Sequence, residues 1–277
     1  MKFAKKITAL ALSIAMICCL AACSGGNTQT KAAETTAAQS AQSATPTIDA
    51  IKAKGKLTVL TNASFPPFEY IDAQGKVAGV DLDASQKIAD KLGVELEVID
   101  MDFDLLIDAL KNGKGDLVAA GMTRTDDRAE IIDFSIIYIS MGLKVVVPAK
   151  TDIKTFDDLD GKKVAVQEAT TADIYVQENY KKAAPMQFKS AIDAVNAVKS
   201  GNADCAVIDM LPAEYMTANS DEIVLMEGLL SAEDTAMGVA KGHEDFLAVV
   251  NEVLDGIMKD GSLTESFNKH MENFSLE

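Results

Sequence analysis

The chain has few residues of the kinds that form covalent or metal cross-links. It contains four cysteines and two histidines among 277 residues. Three of the cysteines fall in an N-terminal segment that we expect to be removed or acylated, so Cys205 is the one free thiol of the remaining sequence and has no partner for an intrachain disulfide. His243 and His270 have no partner at metal-ligand spacing and no cysteine nearby. We therefore predict no metal and no other cofactor.

Positive charge and long apolar runs are also scarce. Lysine and arginine total 26 against 42 aspartates and glutamates, which gives a formal net charge of −16 at pH 7. A surface this acidic is a poor partner for nucleic acid. Beyond the N-terminal segment, no apolar run approaches the length of a transmembrane helix. We find no internal repeat.

The first residues have the pattern of a lipoprotein signal. Three lysines precede an apolar run over residues 7–20, which is too short to span a bilayer, and Ala21, Ala22 and Cys23 follow it. We predict a signal peptide over residues 1–22 and acylation of Cys23; the alternative is an ordinary signal peptide with an incidental cysteine. Two acyl chains would anchor the protein stably. We therefore expect an extracytoplasmic protein that lipid holds at the outer face of the cell membrane.

Two regions of different composition follow the signal. Residues 23–47 contain, after the cysteine, almost only Gly, Thr, Gln, Ala and Ser without apolar periodicity, which predicts a disordered tether. Residues 48–277 have an ordinary apolar content. Their length suits one large domain or two lobes of about 100 residues each.

Strand and helix patterns alternate through the C-terminal region. The predicted strands are residues 56–60, 94–99, 116–120, 163–166 and 205–208, and the predicted helices are residues 82–92, 104–111, 172–179, 192–200 and 246–257. This alternation is typical of βαβ units. It predicts an α/β fold of two lobes, each a mostly parallel sheet flanked by helices, with the last helix packed on the first lobe.

We place the first lobe at residues 48–140 with 238–277 and the second lobe at residues 141–237. This division requires the chain to cross between the lobes twice. Gly142 and Gly238 lie at the crossings. Each would give its crossing a permissive backbone and allow a hinge.

Residues that follow the predicted strands are the candidates for ligand binding, because ligands of open parallel sheets bind beyond the carboxyl ends of the strands. Arg128, Thr171 and Asp209 each follow a different strand. The planar guanidinium of Arg128 matches a carboxylate bidentately, and the helix start near Thr171 offers free N–H groups to the same anion. Asp209 would hold an ammonium. These residue types together predict a site for a zwitterion.

Several motifs occur in an order that resembles a known family. They are NASFPPFEY at 62–70, GVDLD at 79–83, MDF at 101–103, AGMT at 120–123, Arg128, DFS at 133–135, LDGKKVAV at 159–166, and Asp209. In this order they resemble the polar amino-acid substrate-binding proteins of ABC importers, in the class related to glutamine- and histidine-binding proteins. The resemblance covers essentially all of residues 48–277. It implies a type II periplasmic-binding-protein-like fold that closes around a polar L-amino acid and delivers it to permease subunits. We expect a monomer.

The resemblance also implies roles for individual residues. It implies that Phe65 and Phe103 flank the side chain of the ligand. Arg128, with the backbone amides of Thr123 and Thr171, would bind the α-carboxylate, and Asp209, with the carbonyl of Gly121, would bind the α-ammonium. The remaining candidates for the ligand-binding set are Asn62, Met122, Gln167 and Thr170.

The sequence departs from the family at four places. Ala169 replaces the usual glycine before the paired threonines, and residues 135–138 read SIIY where Ser-Asp-Pro-Tyr is common. Asn62 stands where several relatives have an acid that reads a polar side chain, and Arg124 stands where many have a β-branched residue. These changes leave the set that would bind the amino-acid backbone intact and leave the specificity for the side chain open.

Each assignment has a structural alternative. Arg128 follows two aspartates and could form a surface ion pair, Asp209 could cap the next helix, and the two phenylalanines could be plain core residues. We expect Arg124 and Glu168 to be solvated.

For the whole protein the main alternative is an enzyme on the same scaffold, because the resemblance extends to periplasmic cyclohexadienyl dehydratases. That chemistry needs a carboxylic acid aimed at the substrate, and Glu168 is the candidate. We predict no catalytic residue. A receptor-kinase sensor domain lacks support, since we see no signalling domain in the sequence.

Overall fold

The computed structural model describes residues 45–218 and 220–272. The predicted signal peptide, the cysteine that we expect to be acylated and most of the predicted tether lie outside these residues. The helices are α1 (Pro46–Lys54), α2 (Val80–Leu92), α3 (Leu106–Lys111), α4 (Asp126–Ile131), α5 (Thr171–Asn179), α6 (Ala191–Lys199), α7 (Met210–Thr217), α8 (Glu244–Lys259) and α9 (Ser262–Glu272). The strands are β1 (Lys56–Thr61), β2 (Ser64–Phe65), β3 (Glu69–Ile71), β4 (Val77–Ala78), β5 (Glu95–Asp100), β6 (Leu117–Val118), β7 (Asp133–Phe134), β8 (Ile139–Pro148), β9 (Lys163–Gln167), β10 (Ala184–Phe188), β11 (Cys205–Asp209), β12 (Ile223–Leu225), β13 (Ala232–Thr235) and β14 (Gly238–Val239).

The tether prediction is wrong at its C-terminal end. Pro46 and Thr47 form the first turn of α1. Proline suits this position because its missing N–H would have no acceptor within the helix. The carboxylate of Asp245, at the start of α8, accepts hydrogen bonds from the backbone N–H groups of Thr47 and Ile48 at 2.9 and 3.0 Å. The folded region therefore begins two residues earlier than the composition indicates.

One sheet has the strand order β5-β1-β6-β14-β7. Strand β1 pairs in parallel with β5 and β6, and β14 is antiparallel to β6 and β7. Helix α8 packs on α1 and α2, which lie on this sheet, and it buries Phe246, Val250, Leu254 and Ile257 along one face. The predicted packing of the last long helix is thus confirmed. We call this sheet and its helices the first lobe.

A second sheet has the strand order β10-β9-β11-β8-β12. Strand β9 is parallel to β10 and β11, whereas β8 is antiparallel to β11 and β12. Strand β13 pairs with the N-terminal half of β8. Helices α5, α6 and α7 contact these strands. We call this sheet and its helices the second lobe.

A small antiparallel sheet, ordered β2-β3-β4, follows β1. Its register pairs Phe65 with Glu69 across the turn of the FPPFE segment. Strand β2 contacts helix α6 of the second lobe. The small sheet therefore holds the side chains of Phe65 and Glu69 close to the second lobe.

The chain crosses from the first sheet to the second between β7 and β8 and returns between β13 and β14. A side chain at Gly142 would lie 2.2 Å from the carbonyl oxygen of Ser231, and one at Gly238 would lie 2.7 Å from Ile132. Close packing against the backbone therefore requires glycine at position 142, whereas at position 238 the close contact is with the end of the Ile132 side chain. Neither glycine has a positive φ, so the backbone freedom that we expected there is not used in this structure. The lobe boundaries at 140/141 and 237/238 remain a prediction.

Candidate ligand-binding site

A cavity lies between the two lobes. The first lobe and the small sheet contribute Asn62, Phe65, Glu69, Phe103, Ala120, Gly121, Thr123 and Arg128, and the second lobe contributes Gln167, Thr170, Thr171 and Asp209. The structure thus brings together all the predicted site residues except Met122. It adds Glu69 and Ala120, which sequence reasoning missed. Their roles as ligand contacts remain predictions.

Met122 belongs to the core of the first lobe and does not line the cavity, and its place in the ligand-binding set remains a prediction. Its side chain is buried among core residues that include Leu60, Val118 and Ile132. The neighbouring Gly121 and Thr123 line the cavity, whereas Met122 is buried in the core.

Arg128 is buried at the cavity and is not a surface residue. Its backbone N–H is capped by the hydroxyl of Thr125 at the start of α4. Its guanidinium donates to the carbonyl oxygens of Thr123, at 2.7 Å, and of Ala169 in the second lobe, at 3.0 Å. The guanidinium also lies over the ring of Phe103, 5.4 Å from its centroid. No ion pair joins Arg128 to a carboxylate of the described residues, so its charge is available to an anionic ligand.

Asp209 ends β11 and faces the cavity from the second lobe. It does not cap α7, because its side chain accepts no hydrogen bond from that helix. Its Oδ1 atom is buried without a hydrogen-bond partner among the described residues. Burial, with the nearby Glu233, raises the pKa of Asp209 to about 7, which Arg128 opposes. Burying a carboxylate oxygen without a hydrogen-bond donor costs free energy. The ammonium of a ligand would supply that donor.

Glu69 is a second buried carboxylate at the cavity. Its side chain is fully buried, and neither carboxylate oxygen has a hydrogen-bond partner among the described residues. Burial chiefly, and then the charges of Asp81, Asp100 and Asp209, raises the pKa of Glu69 well above its usual range. Glu69 lies in the FPPFEY motif, which is otherwise mostly apolar, but the motif alone does not show which way the side chain points.

Gly121 is held in place by a third buried acid. Its φ is 54°, and a side chain there would lie 2.7 Å from the ring of Phe65. Its N–H donates to Asp81 at 2.9 Å, and the hydroxyl of Tyr138 donates to the same carboxylate at 2.6 Å. Asp81 thereby fixes the loop at the end of β6, and burial raises its pKa to about 6.

The two predicted aromatic residues line the cavity from the first lobe. Phe65 is almost fully buried and stacks on Phe68 with ring centroids 5.7 Å apart. Phe103 is half-buried beside the guanidinium of Arg128. Phe65 therefore belongs both to the core and to the cavity wall. A ligand side chain between these rings would meet apolar surface on two sides.

The start of α5 closes the cavity from the second lobe. Thr170 caps the helix by accepting from the N–H of Asp173, and Thr171 is its first residue, where backbone N–H groups have no intrahelical acceptor. Ala169 adopts a φ of 63°, in the left-handed region that favours glycine. Ala169 therefore adopts a backbone conformation that glycine would adopt without steric cost.

Amide side chains join the two lobes at one side of the cavity. Asn62 donates from Nδ2 to the carbonyl of Met101 at 2.9 Å. Its Oδ1 accepts from Nε2 of Gln167, across the lobe boundary, at 2.8 Å. The same nitrogen of Gln167 lies 3.0 Å from the carbonyl oxygen of Lys189. An amide at position 62 thus bridges to the second lobe.

Arg124 and Glu168 lie outside the cavity lining. The side chain of Arg124 is 44% exposed and 3.6 Å from Asp126. The carboxylate of Glu168 is 2.7 Å from the ammonium of Lys189 and 39% exposed. Both positions agree with the solvated reading, and the acid that a dehydratase would need is not aimed into the cavity.

Residues 45–218 and 220–272 contain neither a cluster of metal-ligating side chains nor a helix that could span a membrane. No three histidine, cysteine or acidic side chains of this part of the chain converge as metal ligands would. None of its helices combines the length and apolar character of a membrane span.

The sequence matches a family model over residues 57–273, that of the bacterial extracellular solute-binding proteins, family 3. This chain therefore belongs to that family. Among curated proteins it is 34% identical over 223 residues to the arginine-binding extracellular protein ArtP of Bacillus subtilis (strain 168), covering 78% of this chain and 79% of ArtP.

Solved structures share the fold. An amino acid ABC transporter substrate-binding protein from Streptococcus pneumoniae Canada MDR_19A, bound to L-arginine, is 31% identical with a TM-score of 0.78, covering 82% of this chain and 98% of that one. An ancestral amino acid-binding protein that is a precursor of cyclohexadienyl dehydratase is 34% identical with a TM-score of 0.75, covering 81% and 99%. The predicted two-lobed α/β binding-protein fold is confirmed.

Proposed function

We propose that this protein is the extracytoplasmic substrate-binding component of an ABC importer and that it binds an L-amino acid between its lobes. One observation carries the proposal: Arg128 and Asp209 face one cavity from opposite lobes, both buried, and neither forms an ion pair with a side chain of the described residues. An α-carboxylate at Arg128 and an α-ammonium at Asp209 would satisfy both. The names of the relatives, which bind arginine and other amino acids, support this reading.

The charges of the cavity favour a ligand with a cationic side chain. Its lining contains one guanidinium and two carboxylates, those of Glu69 and Asp209. A zwitterion would match Arg128 and Asp209 and leave Glu69 unpaired. A ligand of net charge +1 would match all three, with the cationic end at Glu69 and its aliphatic stem beside Phe65. We infer that the ligand is arginine or a similar basic amino acid.

A ligand can enter only if the lobes separate. Most of the cavity lining is buried, and contacts such as Gln167 to Asn62 and Arg128 to Ala169 cross between the lobes. The structure therefore corresponds to a closed form. We propose that the ligand favours closure and that permease subunits recognise the closed form.

The test of the function is a thermal-shift screen of the twenty amino acids on the full chain in detergent. A ligand that binds only the folded protein stabilises it by RT ln(1 + [L]/Kd), about 2.7 kcal/mol at a hundredfold excess over Kd. The melting temperature should therefore rise by several degrees, most with L-arginine and L-lysine. Shifts for acidic but not basic amino acids would contradict the cationic assignment, and no shift with any amino acid would contradict the function.

Lipid anchoring belongs to the same proposal. We expect the mature protein to begin at Cys23 and to carry acyl chains. Cys23→Ala should move the protein from the membrane fraction to the soluble fraction, whereas Cys205→Ala should leave it in the membrane fraction because that thiol is buried in the fold. A wild-type mature N-terminus elsewhere, without acyl mass, would refute the anchor. We further propose that the protein acts as a monomer.

We propose no catalytic activity. The geometric reason is that Glu168, the candidate acid, pairs with Lys189 outside the cavity. Incubation with arogenate or prephenate, followed by chromatography, should show no loss of either compound beyond the protein-free control. Consumption that Glu168→Gln abolishes would instead support the dehydratase alternative.

A further inference from the structure

Lys189 forms ion pairs on both sides of the lobe boundary. It follows β10 in the second lobe, and its ammonium lies 2.7 Å from Glu168 of the same lobe. The same ammonium lies 2.9 Å from Asp104 and 3.8 Å from Asp102, which belong to the first lobe. The other ion pairs between described residues stay within one lobe.

The contacts of Lys189 lie next to the cavity but not in it. Asp102 and Asp104 flank Phe103, which lines the cavity. The backbone carbonyl of Lys189 accepts from the side chain of Gln167, which also bridges to the first lobe. Lys189 itself is absent from the lining. Lys189 therefore contacts residues of both lobes beside the cavity but does not line the cavity itself.

The electrostatics of this cluster depend on whether the lobes are together. In the closed form, carboxylates from both lobes converge on one ammonium. Without that ammonium, Asp102 and Asp104 would face Glu168 across the boundary and repel it. When the lobes separate, the acids move apart and the repulsion falls, because Coulomb energy decreases with distance and with hydration. A charge at Lys189 therefore favours the closed form specifically.

We propose that Lys189 is a positioning residue for ligand retention: it holds the lobes closed over the ligand and so sets how fast the complex reopens. This inference rests on the proposed function, since retention presupposes a ligand between the lobes. It predicts that Lys189 affects dissociation and not association, because association begins from the open form. It also predicts that dissociation becomes faster with salt, since half of the lysine side chain is exposed and its ion pairs are screened.

The test compares L-arginine dissociation from the full chain in detergent, by stopped-flow displacement, for wild type and Lys189→Met. Methionine keeps much of the aliphatic stem and removes the charge. A solvent-exposed ion pair shifts an equilibrium by up to about fivefold, and Lys189 bridges to two carboxylates of the other lobe. We expect dissociation to accelerate about three- to tenfold, with an unchanged association rate and an unchanged melting temperature without ligand.

Two variants make the test specific. Lys189→Arg should restore slow dissociation, because it keeps the charge. Lys241→Met is the matched control, since Lys241 pairs with Asp133 inside the first lobe, and it should dissociate like wild type. Raising the salt from 20 to 500 mM should accelerate dissociation from wild type but not from Lys189→Met.

The outcomes separate the two proposals. Equal dissociation rates for wild type and Lys189→Met would overturn the role of Lys189 while leaving the proposed function standing. The same acceleration in Lys241→Met would also overturn it, because charge loss anywhere would then suffice. If wild type binds no L-arginine in this assay, the basic-ligand form of the proposed function fails, and the retention role fails with it.

Discussion

Arg128→Ala and Asp209→Ala are each expected to lower the affinity for L-arginine by about 30-fold to several-thousand-fold. Removing one partner of a desolvated, hydrogen-bonded charge pair costs about 2 to 5 kcal/mol, which corresponds to that range of affinities. Both side chains are buried at the cavity, so water replaces little of the lost interaction. Titration calorimetry on the full chain measures the loss directly.

Arg124→Ala is the matched control for this prediction. Arg124 is an arginine four positions before Arg128, but its side chain is 44% exposed and outside the cavity lining. Its removal should change the affinity by less than about fivefold. The melting temperature of each variant without ligand checks that folding is intact. Wild-type affinity in either Arg128→Ala or Asp209→Ala would show that the amino-acid backbone does not bind between Arg128 and Asp209.

The helices and the central strands were predictable because their signals are local. The apolar stripe of α8 and the glycine that ends α2 can be read directly from the sequence. Strand β10 (Ala184–Phe188) was missed because its residues are partly or fully exposed and show no apolar alternation. Strands β2 and β4 have two residues each, too few for periodicity to appear.

Site residues were predictable where the charge of the side chain itself indicates the chemistry. They were not predictable where the role depends on the direction in which the side chain points. Arg128 and Asp209 were predicted from their charges and their places after strands. Met122 was assigned by its position in a motif, but its side chain points to the core. Glu69 was passed over in the same kind of motif, although its side chain points to the cavity. Whether a side chain points to the core or to the cavity depends on the conformation of the folded segment. A sequence motif does not contain that information.

The affinity for L-arginine is expected to fall as the pH drops from 8 to 5. In the closed form, burial raises the pKa of Asp209 to about 7 and that of Glu69 well above its usual range. Both pKa values exceed those of an unfolded chain, so these groups destabilise the ligand-free closed form at high pH and cease to do so once they are protonated. A cationic ligand needs both carboxylates ionised. Protons and ligand therefore compete for the same two groups.

The size of the effect follows from proton counting. Each proton released on binding changes the affinity by about tenfold per pH unit below the pKa of the group that releases it. Asp209, whose pKa is about 7 in the closed form, gives about a fiftyfold loss between pH 7 and pH 5, because half of it is already protonated at pH 7, and Glu69 adds to it. Titration calorimetry at pH 5, 6, 7 and 8, in two buffers of different ionisation enthalpy, measures both the affinity and the protons released.

Glu69→Gln separates the contribution of that carboxylate from the rest. Glutamine keeps the shape and removes the charge and the titration, so the variant should bind L-arginine more weakly at pH 8 and should show a shallower dependence on pH. Glu178 lies on the exposed face of α5 and outside the cavity lining. Glu178→Gln removes a carboxylate there and should retain the wild-type pH profile.

An affinity that stays constant from pH 8 to pH 5 in the wild type would mean that neither Glu69 nor Asp209 is neutral in the ligand-free protein at acid pH. The inference that a cationic ligand replaces protons on these carboxylates would then be wrong.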